Sequence, residues 1–375
     1  MKLVVISAAP IVQMNGKNYM YAPYHKEMKI WAKHVDQIQF CCPIWKNDKN
    51  LLIDEIEFSI EPILVLKEFD ITRLSNFPKA ILYSIINLWI LFKAMRNADH
   101  IHLRCPGNMT LLAALVQILF PSKPKTAKYA GNWDPKAQQP ITYKIQRWIL
   151  SNTFLTKNIK VLVYGDWPNQ SKNIKSFFTA TYSESEIQNS EFRIQKNDIE
   201  GTIRFLFVGT LSPGKQPIYA IQLVEALHKK GFSVQLDIYG DGVLRNEVSK
   251  YCIENKLENI VFLKGNQSKD IVLQAYQGSH FLLLPSKSEG WPKVVAEAMV
   301  WGCVPVVLPV SCVSYMLHNG VRGLLLKQSL TQDVLQVEAV LSNPSAYLEM
   351  NRKAQAWSRQ FTTDAFEVEI QKLLR

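Results

Sequence analysis

The chain has 375 residues, 47% of them apolar and 20% charged, a globular composition long enough for two domains that each bury a core, and one that argues against extended disorder. Its formal net charge of +11 is uneven: residues 1–190 hold 23 Lys and Arg against 14 Asp and Glu, the remainder 20 against 18. That asymmetry predicts either an anionic partner for the first half (a membrane surface, a lipid phosphate or an acidic glycan) or a plainly solvated surface. The basic residues are scattered, with no recognition helix or stacking motif, which argues against nucleic acid.

Residues 1–7 form a short apolar run with no small-residue cleavage site after it, which predicts a first strand and no secretory leader. Further strands are predicted at 37–42, 100–103, 125–130 and 161–164, with helices at 24–33, 79–95 and 110–120. The most apolar stretch, 80–92, is closed by Lys93 and Arg96 and falls short of the roughly 20 residues that span a bilayer. Apolar around most of its circumference, it is expected to be buried; lying on a membrane is the alternative. The six cysteines, at 41, 42, 105, 252, 303 and 312, form no CxxC or metal-ligand cluster, which predicts free thiols in a reducing cytoplasm.

Residues 182–201 are polar and predict a linker with its hinge near 195. Beyond it, strands are expected at 204–208, 234–239, 260–263, 281–284 and 304–308, again separated by helix-length segments. Such alternation predicts an α/β protein of two Rossmann-like doubly wound domains, 1–195 and 196–355, facing a cleft. Residues 356–375 repeat apolar positions at helical spacing, as in a helix that buries its stripe back on the first domain.

The most informative passage is Leu284-Pro285-Ser286-Lys287-Ser288-Glu289-Gly290-Trp291-Pro292-Lys293-Val294-Val295-Ala296-Glu297-Ala298-Met299, followed by Gly302-Cys303-Val304-Pro305-Val306-Val307. It predicts strand, loop, helix and strand. Proline is tolerated in a first helical turn, and the N–H groups of Lys293 to Val295 at that helix start would favour a diphosphate. Glu289 in the loop can reach a sugar, and Glu297, over a turn into the helix, can accept two ribose hydroxyls. Two glutamates alone would be a weak signal; the strand before them, Gly290 between them and the strand after them make it specific.

The passage resembles the donor-site signature of the retaining family-4 glycosyltransferases (the group 1 glycosyl transferases, of GT-B fold), with Glu289-x7-Glu297 intact. The resemblance implies a hexosyltransferase-type enzyme that uses a nucleoside-diphosphate sugar, a glycan or lipid-linked acceptor, and retention at the anomeric carbon. It implies donor contacts from Gly290, Trp291, Pro292, Lys293 and Val294. Phe207-Val208-Gly209-Thr210-Leu211-Ser212-Pro213-Gly214-Lys215-Gln216 looks like the family's phosphate loop; there Gly209 and Thr210 line the donor and Lys215 meets its diphosphate, with Thr210 where the family often has arginine. Gly240 in Tyr239-Gly240-Asp241-Gly242 is implied to lie beside the donor, with Asp241 a turn residue, and the loop opening at Gly265 to hold the nucleobase. In the first half, Ala8-Ala9-Pro10 replaces paired glycines. Asn132 stands near the family's sugar-facing histidine, and Arg104 ends a strand where it would meet phosphate or staple the cleft.

No Asp-x-Asp pair is present to hold a divalent cation, so neither metal nor cofactor is expected beyond the donor. The expected setting is the cytoplasm or the inner face of the membrane, in surface polysaccharide or glycolipid synthesis. Two alternatives stay open: a non-catalytic nucleotide-sugar or carbohydrate-binding protein of the same fold, and a sugar-nucleotide epimerase, for which His102 is the available histidine.

Overall fold

A computed structural model describes every residue except 50, 71–75, 191–198 and 200. The chain forms two compact units, Met1–Phe177 with Glu367–Arg375, and Phe178–Phe366. The predicted hinge near 195 lies outside the described residues, and the unit boundary falls earlier. By Phe178 the chain already packs on Phe361 and Phe366, and Tyr182 lies edge-on to Trp301, so these aromatic contacts commit the segment after Phe177 to the second unit.

The strands of the first unit are β1 (Lys2–Ser7), β2 (Ile11–Met14), β3 (Lys17–Tyr21), β4 (Gln37–Cys42), β5 (Ile44–Trp45), β6 (Ile53–Glu55), β7 (Leu64–Val65), β8 (His100–Cys105), β9 (Lys125–Tyr129), β10 (Ile159–Tyr164) and β11 (Ile174–Phe177). Seven make a parallel sheet in the order β11-β10-β9-β8-β1-β4-β7. The sequence Leu3-Val4-Val5-Ile6 is fully buried, as both faces of a parallel strand are when helices cover them. Strands β5-β2-β3-β6 form a small second sheet that the alternation did not reveal. Its hairpin turns at Asn15 and Gly16, both with positive φ, the pair a tight two-residue turn favours.

The second unit holds β12 (Ile203–Val208), β13 (Val234–Tyr239), β14 (Val261–Gly265), β15 (Phe281–Leu284), β16 (Val304–Val307) and β17 (Leu324–Leu325), all parallel in the order β14-β13-β12-β15-β16-β17. Each sheet is therefore doubly wound: the chain builds outward on one side of its first strand, then returns to build on the other. The closing helix Thr363–Leu374 ends in the first unit, where Glu367 pairs with Lys33 at 2.8 Å and His34 at 2.9 Å.

The apolar stretch read as 80–92 extends to a 20-residue helix, Phe77–Arg96, and its expected burial is corrected. Asn87, Leu91, Ala94 and Met95 turn inward, and the last three belong to the first sheet's core. Phe77, Ile81, Leu82, Ile85 and Trp89 are 51–61% exposed. A helix in the outer layer has a sheet on one side only, so its far stripe has no protein to bury it. By length and composition it could cross a membrane; its inner stripe makes it a crossover helix of this unit.

Candidate active site

In an open parallel sheet, ligands gather beyond the carboxyl ends of the strands where the winding direction reverses. In the second unit that point lies between β12 and β15, and the two loops leaving them are tied together. The Lys287 N–H donates to Gly214 O at 2.8 Å, Gln216 Nε2 donates to Pro285 O at 2.6 Å, and the Ser286 hydroxyl donates to Gly214 O at 3.5 Å. These contacts bring Lys215, from the β12 loop, to Glu289, from the β15 loop, as an ion pair. Their side chains are 28% and 10% exposed, shallow enough for a ligand phosphate to reach the ammonium.

The glycines set how closely these loops approach. The Gly209 N–H donates to Tyr239 O at 2.9 Å and the Gly240 N–H to Gly265 O at 2.9 Å, so the ends of β12, β13 and β14 are joined in series. A Cβ on Gly240 would lie 2.0 Å from Gly209 O, and its φ of +135° also disfavours any other residue. Asp241 is the turn residue expected: its carboxylate accepts the Gly242 N–H at 2.7 Å and pairs with Arg245 at 3.0 Å. Thr210 is exposed at the loop's tip.

Beyond Glu289 the chain enters the helix Lys293–Val300, with Pro292 as its capping residue in extended conformation and no side-chain cap. The Val295 N–H donates to Pro292 O at 3.0 Å. Of the three N–H groups expected to point outward, Val295 is thus committed inside the helix. Gly290 is anchored through its carbonyl, which accepts the Ser311 hydroxyl at 3.0 Å and the Cys312 thiol at 3.1 Å. The Trp291 ring is buried and packs on Trp357 and Phe361, which anchors the loop against that aromatic cluster. Lys293 and Val294 are half-buried.

Glu297, eight residues on from Glu289 and a turn into the helix, has both oxygens engaged. Oε1 accepts the Thr181 hydroxyl at 2.7 Å and Oε2 accepts the Tyr276 hydroxyl at 3.1 Å. Burial first, and then the neighbouring Glu297 charge, push the Tyr276 phenol far above its ordinary range, so it stays a donor. A carboxylate has about four lone-pair sites, and two remain for further hydroxyls. Neither Thr181 nor Tyr276 was legible beforehand: one lies in the polar segment after β11, the other in an ordinary helix, and only the fold brings them to Glu297.

In the first unit, Arg104 lies next to the end of β8 with its guanidinium 4.2 Å from the Tyr24 ring, and its Nε has no hydrogen-bond partner among the described residues. Asn132 uses its amide oxygen to accept the Asp134 N–H at 2.8 Å, a turn role that takes one of that oxygen's two lone pairs. His102 is fully buried with Nδ1 2.8 Å from the Thr126 hydroxyl, and burial holds it well below its ordinary pKa. Among the described residues no group of three or more His, Cys, Asp or Glu side chains is arranged to hold a metal ion.

Two units, each built on its own doubly wound parallel sheet, are the architecture of the GT-B fold. In agreement, residues 189–357 match the family model of the group 1 glycosyl transferases. The chain is 26% identical over 176 residues to an uncharacterized glycosyltransferase of Methanocaldococcus jannaschii, covering 46% of this chain and 48% of the relative. To the alpha-D-kanosaminyltransferase of Streptomyces kanamyceticus it is 24% identical over 173 residues, 46% and 45% of the two chains. The chain thus spans about half the length of the curated relatives it matches. HepE of Anabaena, solved with UDP, superposes over 100% of this chain and 98% of its own with a TM-score of 0.67 at 16% identity, a likeness of fold.

Proposed function

We propose that the protein is a glycosyltransferase that moves a hexose from a UDP-sugar to a glycan or lipid-linked acceptor, with retention of anomeric configuration and without a metal ion. The meeting of Lys215 and Glu289 at the β12/β15 switch point carries this proposal. The UDP bound to HepE supports uridine as the base, and the intact Glu289-x7-Glu297 spacing supports retention through the family-4 resemblance.

On binding, the donor diphosphate takes over the Lys215 ammonium, and the charge that gathers on the leaving phosphate is met by it and by the start of the helix at Lys293. Glu289, released from Lys215, steadies the sugar as positive charge develops at the anomeric carbon. Glu297 anchors the ribose through its remaining lone pairs. The bond from the anomeric carbon to the phosphate oxygen breaks with its electron pair on the phosphate; the acceptor oxygen bonds from the same face, and its proton passes to the departing phosphate. Fixed cations replace a divalent metal in this scheme, so chelation should leave the rate unchanged.

Purified protein given radiolabelled UDP-, GDP- and ADP-sugars with a lipid extract is expected to transfer label from the UDP-sugar, in EDTA as without it. Slow donor hydrolysis without acceptor separates a catalyst from a binding protein. Normal turnover by Glu289→Gln would falsify the role given to that residue. An epimerase is disfavoured by the burial of His102 within β8, where it reaches Thr126.

The same proposal places the protein in the cytoplasm, peripherally at the inner face of a membrane, in surface polysaccharide or glycolipid synthesis. Support comes from residues 77–160, which hold twelve Lys and Arg against two Asp and so carry ten of the chain's eleven net positive charges, and from the exposed stripe of the helix Phe77–Arg96.

A further inference from the structure

The first unit has a second concavity, at the opposite end of its sheet from Arg104. A cavity of about 730 Å³ opens at the amino ends of β8, β9, β10 and β11. Five lysines line it, Lys125, Lys157, Lys160, Lys172 and Lys175, together with Arg375, and no acidic side chain does. Strand length separates it from the carboxyl edge by roughly 15 Å, so it is no part of the edge where a donor or acceptor is expected.

Elsewhere in this chain lysines regularly find carboxylates, as Lys17, Lys29, Lys33, Lys230 and Lys269 do. None of the five here is in an ion pair among the described residues. Lys125 Nζ donates to Phe120 O at 2.6 Å and Lys160 Nζ to Lys372 O at 3.3 Å. Lys125 is almost wholly buried, and burial pushes it down to about 8, a cost that an anion in the cavity would offset. Like charge concentrated this far, with no acidic side chain among the lining residues, is an anion site in the ordinary electrostatic sense.

The rim indicates which anion. Phe154 lies between two lining residues, Thr153 and Thr156, and is 80% exposed, with the Lys157 ammonium 6.0 Å from its ring. The helix leading to it, Ile141–Ser151, leaves Ile141, Ile145 and Trp148 exposed at helical spacing, by 75%, 44% and 62%. Leu119, two residues before the lining Pro121, is 65% exposed. A soluble polyanion would gain nothing from these apolar side chains, whereas at a bilayer surface they enter the acyl boundary while the lysines meet headgroup phosphates.

We propose that this cavity binds the phosphate headgroup of an acidic phospholipid, with Phe154, Trp148 and Leu119 inserting beside it. The proposal rests on the peripheral-membrane part of the function given above and locates the contact. Sedimentation of the full chain with vesicles of phosphatidylcholine, alone or with phosphatidylglycerol, tests it. Wild type should bind the mixed vesicles, and Lys157→Glu/Lys172→Glu/Lys175→Glu should lower that affinity on the order of a hundredfold. A matched reversal of three exposed lysines in the second unit, Lys250→Glu/Lys256→Glu/Lys353→Glu, should change it far less, which separates the cavity from net charge. Phe154→Ala should weaken binding to mixed vesicles too.

Donor hydrolysis and melting temperature, measured in vesicle-free samples of each variant, should match wild type. If wild type binds no vesicle, the peripheral-membrane reading fails and takes the cavity with it. If the cavity variant binds mixed vesicles as wild type does, the cavity proposal alone is overturned. Stabilisation of wild type by glycerol 3-phosphate or inorganic phosphate at micromolar concentration, lost in the cavity variant, would assign the site to a soluble phosphate and overturn the lipid.

Discussion

Each sheet carries a lysine–glutamate pair toward its carboxyl edge, and the two pairs serve opposite ends. In the first unit Lys128 of β9 lies 2.8 Å from Glu27 with exposures of 2% and 10%, its ammonium within 5.8 Å of the Tyr164 and Phe177 rings. In the second, Lys215 and Glu289 meet across two loops and keep an open side. A pair withdrawn from water is held by its surroundings and is costly to disturb. One at the rim contributes little to stability but can exchange its partner for a ligand. Chemistry therefore belongs with the pair that the fold leaves replaceable.

Removing one partner of the buried pair should have the largest effect. Glu27→Ala strands a buried ammonium and should cost about 3–5 kcal/mol in denaturant unfolding; a loss under 1 kcal/mol would mean that water reaches Lys128 and would erase the contrast. Lys215→Met should do the reverse, lowering transfer about 10²- to 10³-fold while costing less stability than Glu27→Ala, because Lys215 is 28% exposed where Lys128 is 2%. A variant that melts early with its turnover intact would reassign Lys215 to structure.

A smaller effect sharpens the picture of the first unit as the one that buries its polar groups. Burial pushes His100 down to about 4 and holds His102 well below its ordinary value, so both stay neutral in the fold while the unfolded chain takes up protons below about pH 6.5. The unfolded state then binds more protons, and stability falls as pH drops from about 6.5 toward 5, by roughly 3 kcal/mol for the two histidines together. Urea titrations at pH 7, 6 and 5 would show it, above the range where ordinary carboxylates titrate; a flat profile would mean that the histidines are solvated.

The donor-side motif was legible because its parts are close in sequence and their geometry is local. A strand, a tight loop and a helix start place Glu289, Gly290 and Lys293 within one turn of chain, and Asp241-Gly242 announces its own turn. What could not be read was anything that depends on the far side of a contact. That the Trp291 ring packs on Trp357 and Phe361 is set by a distant segment. That the Asn132 oxygen accepts the Asp134 N–H is set by how the loop after β9 turns. The helix from Phe77 looks buried because its composition says nothing of how many layers cover it. The Asn15-Gly16 hairpin is the opposite case, a local signal present in the chain and passed over.

Local chemistry along the chain thus determined the alternation of strands and helices, the α/β class of both units and the uncapped helix start, since each depends on neighbours a few residues apart. Tertiary structure alone decided that β12 lies against β15 and so sets Lys215 beside Glu289, that Thr181 and Tyr276 hold Glu297, and that five lysines share one cavity. Those arrangements follow from strand order and close packing between distant segments, and the register of one strand against another is a property of the whole sheet rather than of any stretch within it.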